Sequence, residues 1–461
     1  MNAAQNLGTQ PAPPLFRAGT LSYTRFGLVM LFFWLLWGHF VYMLMESVPG
    51  LLPLLLREHK ATNTEVSFIT TSLNVIGNML LNPIISVWSD RYRGRFGRRR
   101  PFIAWTTPMV VACLILIPYG PDLAAWASRF SAVRAALELS PIVPGILFIA
   151  VFVMGFQVFD VFVGSTHYYL VRDTVPEAFL GRFLGWFKLG GGLAPLCYNL
   201  FVFPYAETHM KTVFTGVAVF YGLGITLMCW NVKEGEFPPP EEIGNARISW
   251  GAWLWNCVRA YAKDCFQHPI YRWTFLAAGM IGWSAAANAF GILFYRKELG
   301  VSMAILGKAG AVSNVIAMAI TLPAGYLLDR WNYFRLLQIG AVLMGLMGFA
   351  AWFLLQDVPT MFVFCILDPI PKAVYGLALM RVVMAVYPKE KYGQFGSAGA
   401  VIASLGTIIF SILAAKFVDA IGCYRAFLLW QGAFLILAGF LFLVVERHWK
   451  RLGGAQHYKA P

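Results

Sequence analysis

Residues 89–102 read SDRYRGRFGRRRPF, an aspartate followed by six arginines within positions 91–100 and then a proline. The stretches on either side, LNVIGNMLLNPIISVW (73–88) and IAWTTPMVVACLILIPY (103–119), carry no charged residue. A hydrocarbon core of about 30 Å is crossed by about 20 apolar residues in helical form. A densely basic turn between two such runs is therefore a loop held at a membrane surface. Each arginine there contributes about 1 kcal/mol against an anionic leaflet.

Working outward, the whole chain repeats this alternation. It has 461 residues, 59% hydrophobic and 13% charged, with a mean hydropathy of +0.63, against about 25% charged in soluble domains. Apolar runs occupy 26–57, 65–89, 101–119, 144–170, 181–203, 212–230, 271–296, 303–328, 335–355, 359–386, 393–417 and 424–445. The polar stretch NVKEGEFPPPEEIGNAR (231–247) separates six runs from six. The pattern predicts an all-α integral membrane protein of twelve transmembrane helices, divided into 26–230 and 271–445. A polar, disordered segment (1–25) with no secretory leader is expected before them, and a tail (446–461) after them. In the central loop (231–270), Trp250, Trp253, Leu254, Cys257, Val258, Tyr261 and Cys265 recur at helical spacing. That spacing suits an amphipathic helix lying on the membrane face or, alternatively, a soluble linker helix.

Charge sets the orientation. With the N-terminus inside, inner loops and flanks hold 24 of the 36 Lys and Arg and outer loops hold 10, with Lys372 and Arg381 inside a span. Positive charge stays on the cytoplasmic side, so both termini are expected there. The net charge of +14 is this bias and no sign of nucleic-acid binding. The seven cysteines show no metal spacing, and Cys113, Cys197, Cys229 and Cys365 fall inside spans, so neither a metal site nor a disulfide framework is expected. No phosphate-binding loop occurs. The reading is a gradient-driven transporter, not an enzyme, without a cofactor. The halves also echo each other: Asp90-Arg91 after the second span corresponds to Asp329-Arg330 after the eighth, as in a duplicated six-helix unit.

The acidic-Arg opening and the Gly97-Arg98-Arg99 close of this loop resemble the signature of the major facilitator superfamily. The form SDRYRGRFGRRRPFI is similar to its sucrose/proton symporter branch, which includes animal sugar carriers; the glycoside–pentoside–hexuronide:cation symporters are wider relatives. The likeness continues through HFVYMLMESVPGLLPLLL (39–56), LLNPIISVWSDR (80–91) and VFDVFVGSTHYYLVRDTVP (158–176), and in the second half through VYPKEKYGQFGSAGA (386–400). The resemblance implies two six-helix bundles working by alternating access. It also implies a gating role for Asp90, Arg91, Gly97, Arg98 and Arg99, with Asp329 and Arg330 as the second copy. Asp90 would face the N-terminal end of the eleventh helix, where the helix dipole favours a carboxylate.

Ionisable groups inside a span are costly and mark function. Asp160 lies mid-way along the fourth span, with His167 two turns below it. It matches the aspartate of proton coupling in sucrose symporters, although their arginine about three turns further on is here represented by Arg172 or His167. Glu46 in the first span, with His39 and Tyr42 on a similar face, matches an acid of the animal members and is the other proton candidate. Asp368 and Lys372 (i, i+4) are read as neutralising each other. Melibiose-type sodium symporters carry acids one and five positions before a second-span proline. Here Asn82 and Asn78 precede Pro83, which favours protons over sodium. Sugar-binding candidates are His39, Tyr42, Glu46, Asn74, Asn78, Asn199, Trp283, Asn288, Asn314 and Tyr375, because sugars are held by polar groups and aromatic faces in apolar cavities. The expected function is proton-coupled uptake of a sugar, a disaccharide or glycoside, by a monomer in the cytoplasmic (inner) membrane. A proton-driven exporter of hydrophobic or cationic compounds is the alternative.

Overall fold

The computed structural model describes residues 16–138, 142–236, 265–388, 391–454, 458 and 460. Twelve long helical runs build it: α1 Arg25–Glu58, α2 Asn63–Arg91, α3 Arg100–Ala127, α4 Pro144–Thr174, α5 Glu177–Cys197, α6 Met210–Asn231, α7 Pro269–Glu298, α8 Met303–Arg330, α9 Tyr333–Leu354, α10 Val358–Val386, α11 Tyr392–Ile421 and α12 Ala426–Arg451. Among the described residues, eleven of these are long and apolar enough to cross a membrane. The exception is α5, diluted by Arg182, Lys188 and three successive glycines at 190–192. The all-α membrane architecture expected from the sequence is thus present.

Helix starts are written in side chains. The Thr24 hydroxyl accepts the Gly27 N–H at 3.1 Å. Thr62 with Glu65, and Asp357 with Thr360, form reciprocal capping boxes, satisfying N–H groups that the helix itself leaves orphaned. Interruptions are equally local. Just after Glu46, α1 tightens into a 3₁₀ turn at Val48–Leu51, where Pro49 and Pro53 withhold backbone N–H donors. A π turn at Phe68–Ser72 interrupts α2.

Each half buries its own apolar core, around Leu35, Met45, Phe156, Phe183 and Phe214 in one and Tyr271, Phe275, Phe334 and Phe442 in the other. Large apolar side chains also cover the outside, among them Trp105, Leu322 and Trp230. Such a surface is stable against lipid, where every helix already satisfies its own backbone.

The polar contacts between halves, among the described residues, sit at the end remote from the termini. Asn63 Nδ2 donates to Asp419 Oδ1 at 2.6 Å, and Ser67 and Ser72 bond to the carbonyl and hydroxyl of Ser411, each at 2.7 Å, joining α2 to α11. Glu207, just after α5, accepts from Arg296 at 2.6 Å and from the Met303 N–H at 3.2 Å. Beside it α8 presses on the π turn Tyr198–Val202 that follows α5, so closely that a Cβ on Gly307 would lie 2.2 Å from the Asn199 carbonyl oxygen; only glycine fits there. The space between the halves therefore opens toward the face that bears the termini.

Residues 16–23 differ from the disordered segment expected. They form an antiparallel hairpin, Phe16–Ala18 with Leu21–Tyr23, pinned by the Phe16 ring against Phe179 at 5.0 Å and by the Glu236 N–H donating to Thr20 at 2.7 Å. The amphipathic helix expected around Trp250–Tyr261 lies outside the described residues.

Candidate functional site

The N-terminal half gathers its polar side chains between α1, α4, α5 and α2. Glu46 ends the regular part of α1, and its side chain adjoins that of Asp160 from α4 closely enough for a carboxyl–carboxyl hydrogen bond, with Tyr42 beside them. Glu46 is accessible, whereas Asp160 is 7% exposed. The buried Oδ1 of Asp160 has no donor among the described residues. Two ionised carboxylates offer no donor to each other, so this contact closes only when a proton is present. Among the described residues no basic side chain adjoins Asp160, and Arg172 is exposed. The arginine partner known from sucrose symporters thus has no counterpart at this carboxylate; a second acid stands there instead.

Two turns nearer the termini, His39 and His167 face each other with ring centroids 6.0 Å apart. His39 stacks on Phe187 of α5 at 3.5 Å, and a Cβ on Gly191 would lie 2.7 Å from its Nε2. Both rings are buried, at 4% and 0% exposure.

On α2 the three asparagines stand at i, i+4, i+8 and join hands. Asn82 Nδ2 donates to Asn78 Oδ1 at 3.1 Å and Asn78 Nδ2 to Asn74 Oδ1 at 3.0 Å, while Asn74 Nδ2 donates to Gln157 Oε1 of α4 at 2.6 Å. The Ser165 hydroxyl donates to Asn82 Oδ1. This ladder stitches α2 to α4 alongside Asp160. Gln157 and Ser165 were not singled out from sequence; their spacing from Asp160, one turn before and just over one turn after, was the available signal.

The C-terminal candidates do not converge. Trp283 is buried between α7 and α11, its Nε1 donating to the Ala403 carbonyl at 3.1 Å, and its indole fills the slot left by Gly406. Tyr375 is 3% exposed inside the second core, against Gly340. Both are packing residues here, contrary to the expectation of sugar platforms. Asn199, just after α5, packs against Gly307 and Gly310 of α8. Asn314 is half-buried on α8. Asn288 lines a cavity of about 380 Å³ within the C-terminal bundle, with Tyr295, Ser313, Asp368, Lys372 and Gln431. There Gln431 Nε2 donates to Asn288 Oδ1 at 2.5 Å, and Asp368 and Lys372 pair as expected.

The arginine loop is folded onto its own half. Asp90 is half-exposed and receives Arg99, with Arg98 at 3.8 Å, rather than facing the start of α11 as expected. Among the described residues, the cations that pair with it belong to its own loop. Arg98 also binds Asp173 at 2.8 Å. Glu234 caps the N-terminus of α3, accepting the N–H groups of Arg98, Arg99 and Arg100 at 2.8, 2.9 and 2.5 Å, where the helix dipole favours an anion. Gly97 permits this: its φ is +101°, and a Cβ would sit 2.7 Å from the Glu234 carboxyl carbon. Arg91 is exposed. In the second copy, Arg381 binds Asp329 at 2.7 Å and Arg330 lies over the Tyr326 ring at 4.3 Å.

The model of the Major Facilitator Superfamily matches residues 35–295 and 272–449. The general alpha-glucoside permease of Schizosaccharomyces pombe is 28% identical over 171 residues, 35% of this chain and 30% of that protein. Solved structures share the fold at low identity. A bacterial homologue of the human lysosomal transporter Spinster, inward-facing and occupied, superposes with a TM-score of 0.64 at 13% identity, covering 92% of this chain and 97% of its own. The inward-open xylose transporter XylE from E. coli gives 0.59 at 14% identity, over 91% and 95%.

Proposed function

Since the chain belongs to the major facilitator superfamily and is a multi-pass membrane transporter rather than an enzyme, we propose that it couples proton movement to the uptake of a sugar, a disaccharide or α-glucoside, across the cytoplasmic membrane. The observation that carries this reading is the Glu46–Asp160 contact, with no arginine in reach. One proton in the contact holds two carboxyls together; a second makes the pair neutral. Cycling between two protons and one lets a single proton be carried per turnover without ever leaving two ionised carboxylates side by side, which repulsion would forbid. The accessible Glu46 reads the space between the halves, while the α2 amide ladder presents polar edges there for sugar hydroxyls. With the termini cytoplasmic, the present opening is the inward-facing state. The α-glucoside relative points to the same substrate class.

Reconstituted protein should accumulate labelled maltose or sucrose when an inward proton gradient is imposed, and added sodium should change nothing. Accumulation that needs sodium, or a gradient that expels a lipophilic cation instead of gathering sugar, would replace this reading with one of its rivals.

A further inference from the structure

The two buried histidines take no part in the arrangement just described. On α1, His39 precedes Glu46 by seven residues; on α4, His167 follows Asp160 by seven. Because the helices run antiparallel, both steps descend about 10 Å toward the face of the termini, so the histidine pair sits directly below the acid pair. His39 Nδ1 and both ring nitrogens of His167 are buried without a partner among the described residues. Orphaned buried polar atoms at this density call for bridging water. Tyr42 stands between the levels, its ring 6.1 Å from His167 and its hydroxyl against Gly164, where a Cβ would come within 2.5 Å. The ionisable groups around the two rings are Tyr42 and Glu46 from α1 and Asp160 and Tyr168 from α4, while α5 presents Phe187 and Gly191.

We propose that His167 and His39, with bridging water, form a proton path from Asp160 to the inner face, behind the sugar. The proposal rests on the acid pair being the proton site. Glu46 opens into the space a sugar would occupy, so a bound sugar seals that direct exit; the histidine track does not cross it. One water spans polar atoms about 5–6 Å apart, which suits the 6.0 Å between the two histidine rings; the step of about 10 Å from Asp160 down to His167 takes a chain of about two waters. In each step a neutral imidazole takes a proton on one nitrogen and gives up the proton from the other, so the ring ends neutral. The proton leaves to water at the inner face, and the acid pair drops from two protons to one. Tyr42 is a positioning residue that holds the water between the levels.

The test uses proteoliposomes and labelled maltose or sucrose, whichever the uptake experiment shows to be carried. His167→Gln keeps a hydrogen-bonding side chain but cannot relay a proton. It should leave sugar–sugar counterflow near the unmodified rate and slow pH-driven accumulation at least tenfold. Added imidazole should restore accumulation in a His167→Ala variant. Unchanged accumulation in His167→Gln overturns the path. So does a parallel loss of counterflow and accumulation, which would mark a packing role. Asp160→Asn in the same assay separates the two readings: if that variant accumulates sugar, the proton site itself is misassigned. If it does not while His167→Gln does, only the path fails.

Discussion

Asp160→Asn imitates the protonated acid and cannot release its proton. Sugar counterflow should persist, and net uphill uptake should fall to the level reached without a gradient. The contact with Glu46 adds a second forecast, that Glu46→Gln fails in the same way, because the pair and not one carboxyl changes proton number. Counterflow and uphill uptake measured side by side check both; full accumulation by either variant removes that residue from the site. Gly97→Ala acts on a different term. It forces a left-handed backbone on a residue with a side chain and drives that side chain into Glu234, at a cost of about 1–3 kcal/mol. A lowered unfolding temperature with unchanged sugar affinity is the expected outcome.

Between elements, the closed end of the molecule depends on a few contacts. An exposed pair such as Glu207–Arg296 contributes about 0.2–1 kcal/mol, so Glu207→Gln alone should shift the balance between inward and outward states less than about fivefold. Asn63→Ala removes a bond to the Asp419 carboxylate, worth about 1.5–3 kcal/mol, and together the two should populate the outward state visibly. Distance measurements between the outer ends of α2 and α11 report it. The Met303 N–H above all, with Arg296 adding to it, holds the Glu207 carboxyl below its usual range despite the opposing effect of burial. A group depressed in the closed state stabilises closure above its open-state value and loses that contribution as pH falls through the depressed one. The latch should therefore be indifferent to pH near neutrality and loosen only below about pH 4; loosening between pH 6 and 8 would point to another group.

For the whole molecule, the charge bias predicts that the arginine loop and both termini lie inside. Arg95 is exposed at the loop's tip, so Arg95→Cys in a chain freed of its native cysteines should resist an impermeant thiol reagent in right-side-out vesicles and react once they are opened. Labelling from outside would invert the topology and, with it, the direction of the proposed proton path.

Hydropathy and charge were enough to place twelve helices, because a membrane span must satisfy its own backbone and bury a fixed apolar length, both local properties of the chain. The 3.6-residue period also put His39, Tyr42 and Glu46 on one face and His167 two turns from Asp160. Whether Glu46 and Asp160 were rivals or partners was not legible: that depends on how two antiparallel helices, more than a hundred residues apart in sequence, are set in height against each other. The same holds for Trp283 and Tyr375, whose chemistry suits a sugar but which pack against Gly406 and Gly340, and for Asp90, which meets the arginines of its own loop. Residue type and local spacing decide what a side chain is able to do. Packing across the bundle decides which atoms it meets.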